Sequence, residues 1–256
     1  MVEATLPVDR PNALLTWLRY DPNRVQMVED AYDEFIARSR YGVAISLALA
    51  ASMVAAIIVV AGNPGAPKAQ LTGTLLVVIT CTFYLGQLLA LLAVPREVLA
   101  TMLAGAIDLR RGLIFGFVSG GAIAIFELGI AAVLLALHVP SERTTELFSG
   151  SVLFGLFMIL IAAPIAEEFM MQGWLQTRLR RYGPAKAGTL TTFAFVLMHV
   201  PTSSMAFVRT VVLGGVAVTR ATTRSLGSAI AMHFANNLFF AILVLVSMAR
   251  AALPHK

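Results

Sequence analysis

The chain has 256 residues, of which 58% are hydrophobic and only 13% are charged. Soluble domains carry roughly 25% charged residues, and a soluble fold of this length could not hide so much apolar surface. Disorder is excluded as well, because disordered chains are poor in hydrophobic residues. The composition therefore predicts an all-α protein, a polytopic bundle of transmembrane helices.

Residues 1–41 are polar and of mixed charge, and we expect them to form an N-terminal cytosolic tail. A helical membrane domain is predicted over 42–250. A span needs ~20 apolar residues to cross the hydrocarbon, and the sequence predicts about seven, within a range of six to eight. The predicted spans are Gly42–Gly62, Leu71–Val94, Leu113–Val139, Phe148–Ala166, Ala185–Val200, Met205–Thr219 and Leu226–Met248.

The positive charge is distributed unevenly between the two sides of this bundle. Cytoplasmic segments of membrane proteins carry an excess of Lys and Arg, which sets the orientation. With seven spans, one side holds the basic clusters before the first span and in the connections at 95–112, 178–186 and 220–225. We therefore predict a cytoplasmic N-terminus in a multi-pass membrane protein. The net charge of +5 then requires no nucleic-acid partner.

Few ionisable side chains interrupt the apolar runs, and in hydrocarbon such residues indicate a functional site. They are Glu127, Glu167, Glu168, His199 and His233. Glu127 lies alone in the third span, where we expect it either to pair with an imidazole or a hydroxyl of the bundle or to remain protonated.

The other buried ionisable residues lie at similar depths. At 1.5 Å per residue, Glu167, His199 and His233 lie ~10–20 Å from the predicted cytoplasmic side, and so does Asn237. His233 and Asn237 are four residues apart and share a helix face. Glu167 and Glu168 diverge by about 100°, so they cannot perform the same task.

Two chemistries suit this set of residues. In the first, a glutamate acts as general base on a water, one histidine assists, and the other histidine with Asn237 stabilises the oxyanion. In the second, one Glu and two His bind zinc as in many metallohydrolases. The His-Glu-x-x-His motif that would support zinc is absent from the sequence.

Three short motifs resemble those of the CPBP intramembrane proteases, the family of the type II CAAX prenyl endopeptidases and the bacterial Abi proteins. The segment 166–173, Ala-Glu-Glu-Phe-Met-Met-Gln-Gly, is similar to a Glu-Glu-x-x-x-Arg motif that glycine usually follows. Residues 195–199 match Phe-x-x-x-His, and residues 233–237 match His-x-x-x-Asn. The resemblance covers about residues 148–247, which carry the protease-like motifs in the expected order.

The resemblance implies a glutamic intramembrane endopeptidase, which we expect in a bacterial inner (plasma) membrane. Glu167 and His199 would activate water, while His233 and Asn237 would hold the developing oxyanion. Glu168 would be a supporting residue. The scheme needs no metal or other cofactor, which leaves zinc as the alternative. The implied partners are the lipid bilayer and a membrane-associated peptide or protein substrate; the oligomeric state is not predicted.

One position departs from the first motif. Gln172 occupies the place of the arginine, and an amide supplies neither a charge nor a bidentate fork. We count Gln172 as a supporting residue. If the motif arginine normally pairs with a carboxylate of the motif, that carboxylate lacks its counter-ion here. The departure motivates a second hypothesis, a catalytically silent membrane scaffold, immunity or regulatory protein.

Overall fold

A computed structural model describes residues 13–38, 41–63, 68–136, 152–199, 214–220 and 223–251. Every regular element in these ranges is helical, which confirms the all-α prediction. The residues 214–220 are helical as well. The labelled helices are α1 (Ala13–Trp17), α2 (Arg24–Arg38), α3 (Tyr41–Gly62), α4 (Lys68–Leu91), α5 (Arg96–Ala104), α6 (Leu109–Ala136), α7 (Val152–Tyr182), α8 (Pro184–His199) and α9 (Leu226–Ala251).

Four helices of the described ranges are long and apolar enough to cross a bilayer, so this is a multi-pass membrane protein. They are Gly42–Gly62, Leu109–Ile130, Val152–Tyr182 and Leu226–Arg250. A fifth span results if Val78–Leu91 and α5 are counted together across their 109° bend. The predicted total of seven stays a prediction, since most of the predicted span Met205–Thr219 lies outside the described residues.

The helices depart from the predicted spans mainly at their ends. The fourth predicted span, Phe148–Ala166, is described from Val152 and continues to Tyr182. The apolar pattern itself suggests that this helix runs on beyond Ala166, and the polar side chains of Glu167, Glu168 and Gln172 in the continuation are buried among other helices. Pro164 does not break α7, although it removes a backbone donor.

Small residues allow the central helices to approach closely, as is common between membrane helices. Gly112, Gly116 and Gly120 form a stripe along α6 that packs against α9. A Cβ atom on Gly116 would lie 2.1 Å from the Ser228 carbonyl oxygen, and one on Gly120 would lie 2.1 Å from that of Met232. The backbones of α6 and α9 therefore lie so close together that a methyl group would not fit between them.

The N-terminal helices pack against one end of this bundle, which we call the basic end: residues 95–112, 178–184, 220 and 223–225. The Asp21 amide donates to the Ala106 carbonyl over 2.8 Å. Leu18, Val28 and Phe35 are buried there. Residues 13–38 of the predicted tail thus form part of the packed structure.

Ion pairs join α2 to the basic end. Glu29 pairs with both Arg180 and Arg224, and Asp33 accepts a 2.9 Å hydrogen bond from Arg180. Arg220, which is buried, lies 4.0 Å above the ring of Tyr32. Burial raises the pKa of the Tyr32 phenol, and the Arg220 guanidinium offsets part of that rise.

The glycine stripe makes a testable prediction about stability. We expect Gly116→Ala to lower the free energy of unfolding by about 1–3 kcal/mol, because the added methyl group collides with the α9 backbone. Gly129→Ala in the same helix is the control, since nothing lies within 4 Å of a Cβ there among the described residues. Thermal unfolding in detergent micelles measures the difference, and equal melting temperatures would contradict the packing.

Candidate active site

The helix α7 changes its hydrogen-bond register on both sides of the predicted glutamate pair. Met158–Ala162 and Phe169–Leu175 are π-helical, and Ala163–Glu168 between them is α-helical. π-Helical turns within α-helices occur frequently at functional sites. Here they rotate the polar residues that follow Pro164 relative to an uninterrupted α-helix.

In the first π-helical segment, one backbone carbonyl accepts its hydrogen bond from a side chain of α9. The Ala163 amide bonds to the Met158 carbonyl five residues back. In the same register the Ile159 carbonyl would be bonded by residue 164, but Pro164 has no N–H. The Nδ2 group of Asn237 donates to the Ile159 carbonyl over 2.9 Å instead. One of the predicted site residues is thereby tied to the helix that carries the glutamates.

His233 lies between the two glutamates of α7. Its Nδ1 atom is 2.8 Å from Glu168 Oε1, and its Nε2 atom is 3.8 Å from Glu167 Oε2. All three residues are buried, Glu168 completely. The sequence predicts that the two adjacent glutamates point in different directions, and in the structure each lies beside a different nitrogen of the His233 ring. The distance of 3.8 Å is too long for a direct hydrogen bond but short enough for one small molecule to contact both groups.

A tyrosine outside the predicted set completes this cluster. The Tyr84 hydroxyl, from α4, donates a hydrogen bond to Glu167 Oε1. Glu167 therefore has one oxygen bonded to Tyr84 and the other directed toward His233. A phenolic hydroxyl in an apolar run is a polar group that needs a buried partner, and that was the available signal for Tyr84 in the sequence.

The histidine of the second motif is the last residue of α8. Its side chain lies outside the described residues. Phe195, one turn earlier on the same helix face as His199, has its ring 6.2 Å from the His233 ring between centroids. The backbone of α8 therefore brings Phe195, one turn before His199, next to His233.

Two other polar residues singled out in the sequence, Glu127 and Gln172, are also buried. Glu127 Oε2 accepts a 2.9 Å hydrogen bond from the amide group of Asn236. This contact fixes α9 to α6. Gln172 is buried, and its Oε1 atom has no hydrogen-bond partner among the described residues.

The arginines near the first motif have other contacts. Arg178 lies 5.3 Å from the centroid of the Trp174 ring, and Arg181 lies 4.8 Å from that of Tyr182. Arg180 pairs with α2. These contacts lie at the basic end, so the structure assigns to none of the three the place of the motif arginine.

The family comparison covers the part of the chain that carries these motifs. Residues 148–239 match the family model described as type II CAAX prenyl endopeptidase Rce1-like. All three motifs lie within the match, whereas Tyr84 and Glu127 precede it. No curated protein and no solved structure matches the chain.

The bond at Ile159 predicts a measurable coupling between two helices. We expect Asn237→Ala to lower the free energy of unfolding by about 1 kcal/mol, since a backbone carbonyl loses its donor. Pro164→Ala restores an N–H at the position that faces this carbonyl. Asn237→Ala should therefore cost less in the Pro164→Ala background, and a double-mutant cycle of thermal unfolding in micelles measures the difference. Equal costs in both backgrounds would contradict the assignment.

Proposed function

We propose that the chain is an intramembrane endopeptidase that hydrolyses a peptide bond of a membrane-associated peptide or protein near the predicted cytoplasmic face. The observation that carries the proposal is the buried cluster of Glu167, Glu168 and His233 in the segment that matches the Rce1-like family model. Carboxylate and imidazole groups in contact are suited to moving the proton of a nucleophilic water.

Glu167 is the general base in this mechanism. Tyr84 occupies Oε1, so Oε2 is the oxygen directed to His233 and available to a water. Glu167 takes a proton from that water while the water oxygen forms a bond to the peptide carbonyl carbon. His199, as the family resemblance implies, assists in holding the water.

The oxyanion of the tetrahedral intermediate is stabilised by groups of α9. Glu168 accepts from Nδ1–H of His233, which fixes the ring and directs Nε2 into the cluster. In the protonated ring Nε2–H is a donor to the oxyanion. Asn237 carries two N–H groups, and its bond to Ile159 leaves one for the same oxyanion.

Collapse of the intermediate completes the reaction. The carbonyl re-forms, the carbon–nitrogen bond breaks, and the proton held by Glu167 passes to the leaving amine. Water has then been added across the peptide bond, and Glu167 is again ionised.

This mechanism assigns no metal. Among the described residues, no group of three His, Cys, Asp or Glu side chains is arranged to hold a metal ion. The zinc alternative would therefore need a ligand from elsewhere, such as His199. Cleavage that survives prolonged treatment with a chelator supports the glutamic mechanism, and cleavage that is lost and then restored by zinc favours the alternative.

The catalytic role of Glu167 can be tested without knowing the substrate. Membranes of cells that express the wild-type chain or Glu167→Gln are compared by mass spectrometry for newly formed peptide termini. We expect a set of termini to disappear in Glu167→Gln. Glu127→Gln is the control, because it changes another buried carboxylate but keeps an oxygen acceptor for Asn236; its termini should match those of the wild type.

An identical set of termini in all three samples would contradict the protease assignment. It would favour the silent scaffold that Gln172 suggests. Thermal unfolding of the purified variants separates loss of catalysis from loss of folding.

The hydrogen bond from Tyr84 predicts a smaller effect. A hydrogen bond to a charged group contributes about 1.5–3 kcal/mol, so Tyr84→Phe should slow cleavage of the identified substrates by about 10- to 100-fold. We expect the loss in kcat rather than in KM. Tyr182→Phe is the control, since Tyr182 is exposed at the basic end, and its rate should equal that of the wild type. A wild-type rate for Tyr84→Phe would remove Tyr84 from the mechanism.

A further inference from the structure

We propose that a cleft at the basic end binds the phosphate headgroup of an anionic phospholipid. The cleft has a volume of about 300 Å³ and lies between α1 and the start of α6. Its lining consists of Trp17, Arg19, Asp108, Arg110, Arg111 and Ile114. It lies apart from the proposed active site and uses none of its residues.

Two hydrogen bonds, one from the backbone and one from a side chain, hold the two walls of this cleft together. The Asp108 amide donates to the Leu18 carbonyl over 3.1 Å, next to Arg19. The Arg111 guanidinium donates to the Trp17 carbonyl and lies 5.9 Å from the centroid of the Trp17 ring. The cleft is therefore formed by the folded chain itself.

The charge of the cleft matches a phosphate group. Arg19, Arg110 and Arg111 contribute three positive charges, against one negative charge from Asp108. The Asp108 carboxylate accepts a 3.0 Å hydrogen bond from the Arg111 amide, where it caps the start of α6. Guanidinium groups bind phosphate oxygens through pairs of parallel hydrogen bonds, and basic pockets on the cytoplasmic side of membrane proteins bind anionic headgroups.

The surroundings of the cleft match the rest of a phospholipid. Ile114 leads from the cleft to an exposed apolar face of α6 that includes Phe117 and Val118. Trp17 is 44% exposed, and tryptophan is typical of the interface between headgroups and hydrocarbon. A molecule with a phosphate at one end and an acyl chain at the other would contact both parts, whereas a free phosphate would contact only the arginines.

Trp17 provides a direct probe of occupancy. The chain has two tryptophans, so Trp174→Phe leaves Trp17 as the only one. The full chain is reconstituted in phosphatidylcholine vesicles that contain brominated phosphatidylglycerol, whose bromine atoms quench nearby tryptophan fluorescence. We expect stronger quenching than with the same fraction of brominated phosphatidylcholine.

Arginine substitutions then test the charge. In the Trp174→Phe background, Arg110→Gln and Arg111→Gln should each weaken the phosphatidylglycerol dependence by about fivefold. Arg110 is exposed, so its replacement leaves the packed core intact. Arg181→Gln removes an exposed arginine elsewhere at the basic end and is the matched control; it should leave the quenching unchanged.

Three outcomes would overturn the proposal. Equal quenching by the two brominated lipids would show that the cleft has no preference for an anionic headgroup. An equal loss of the phosphatidylglycerol dependence with Arg181→Gln would show that the preference comes from the overall positive charge of the basic end and not from the cleft. Displacement by millimolar inorganic phosphate would assign the cleft to the free anion rather than to a lipid.

Discussion

The contact of α9 with α7 is the interaction on which the candidate site depends. In a bilayer a polar group finds no water, so it must be satisfied by the protein itself. α9 meets this requirement on two sides: His233 and Asn237 bond to α7, and Asn236 bonds to Glu127 of α6. Because the three contacts diverge around one helix, they fix its rotation, and the glycine stripe of α6 fixes its distance.

The sequence predicts the membrane character and the main polar residues, since both follow from composition. Apolar runs mark the spans, and rare buried ionisable groups are conspicuous among them. The first π-helical segment of α7 could not be predicted in this way, because it depends on how Pro164 and Asn237 meet across two helices. Tyr84 was missed for a similar reason: only the packing of α4 beside α7 gives its hydroxyl a partner.

The basic end illustrates a second limit of sequence reasoning. A count of Lys and Arg treats each as a solvated loop charge. In the structure Arg180 and Arg224 are paired with Glu29, and Arg220 is buried against Tyr32. An arginine of this kind can have two roles. Its charge can favour one orientation of the chain in the membrane, and it can also form an ion pair that holds the acidic helix α2 in place. The acidic residues within 13–38 thus pair with arginines of the basic end, against which this segment packs.

The same view of paired charges bears on Gln172, the departure from the first motif. An arginine at that position could serve as counter-ion to a buried carboxylate, and its loss would leave a charge uncompensated. Both glutamates here have donors from other helices. Tyr84 donates to Glu167, and His233 contacts Glu168 at hydrogen-bond distance. These contacts come from side chains of α4 and α9 and not from position 172. The absence of the arginine therefore does not by itself remove the conditions under which a buried carboxylate can act as a base.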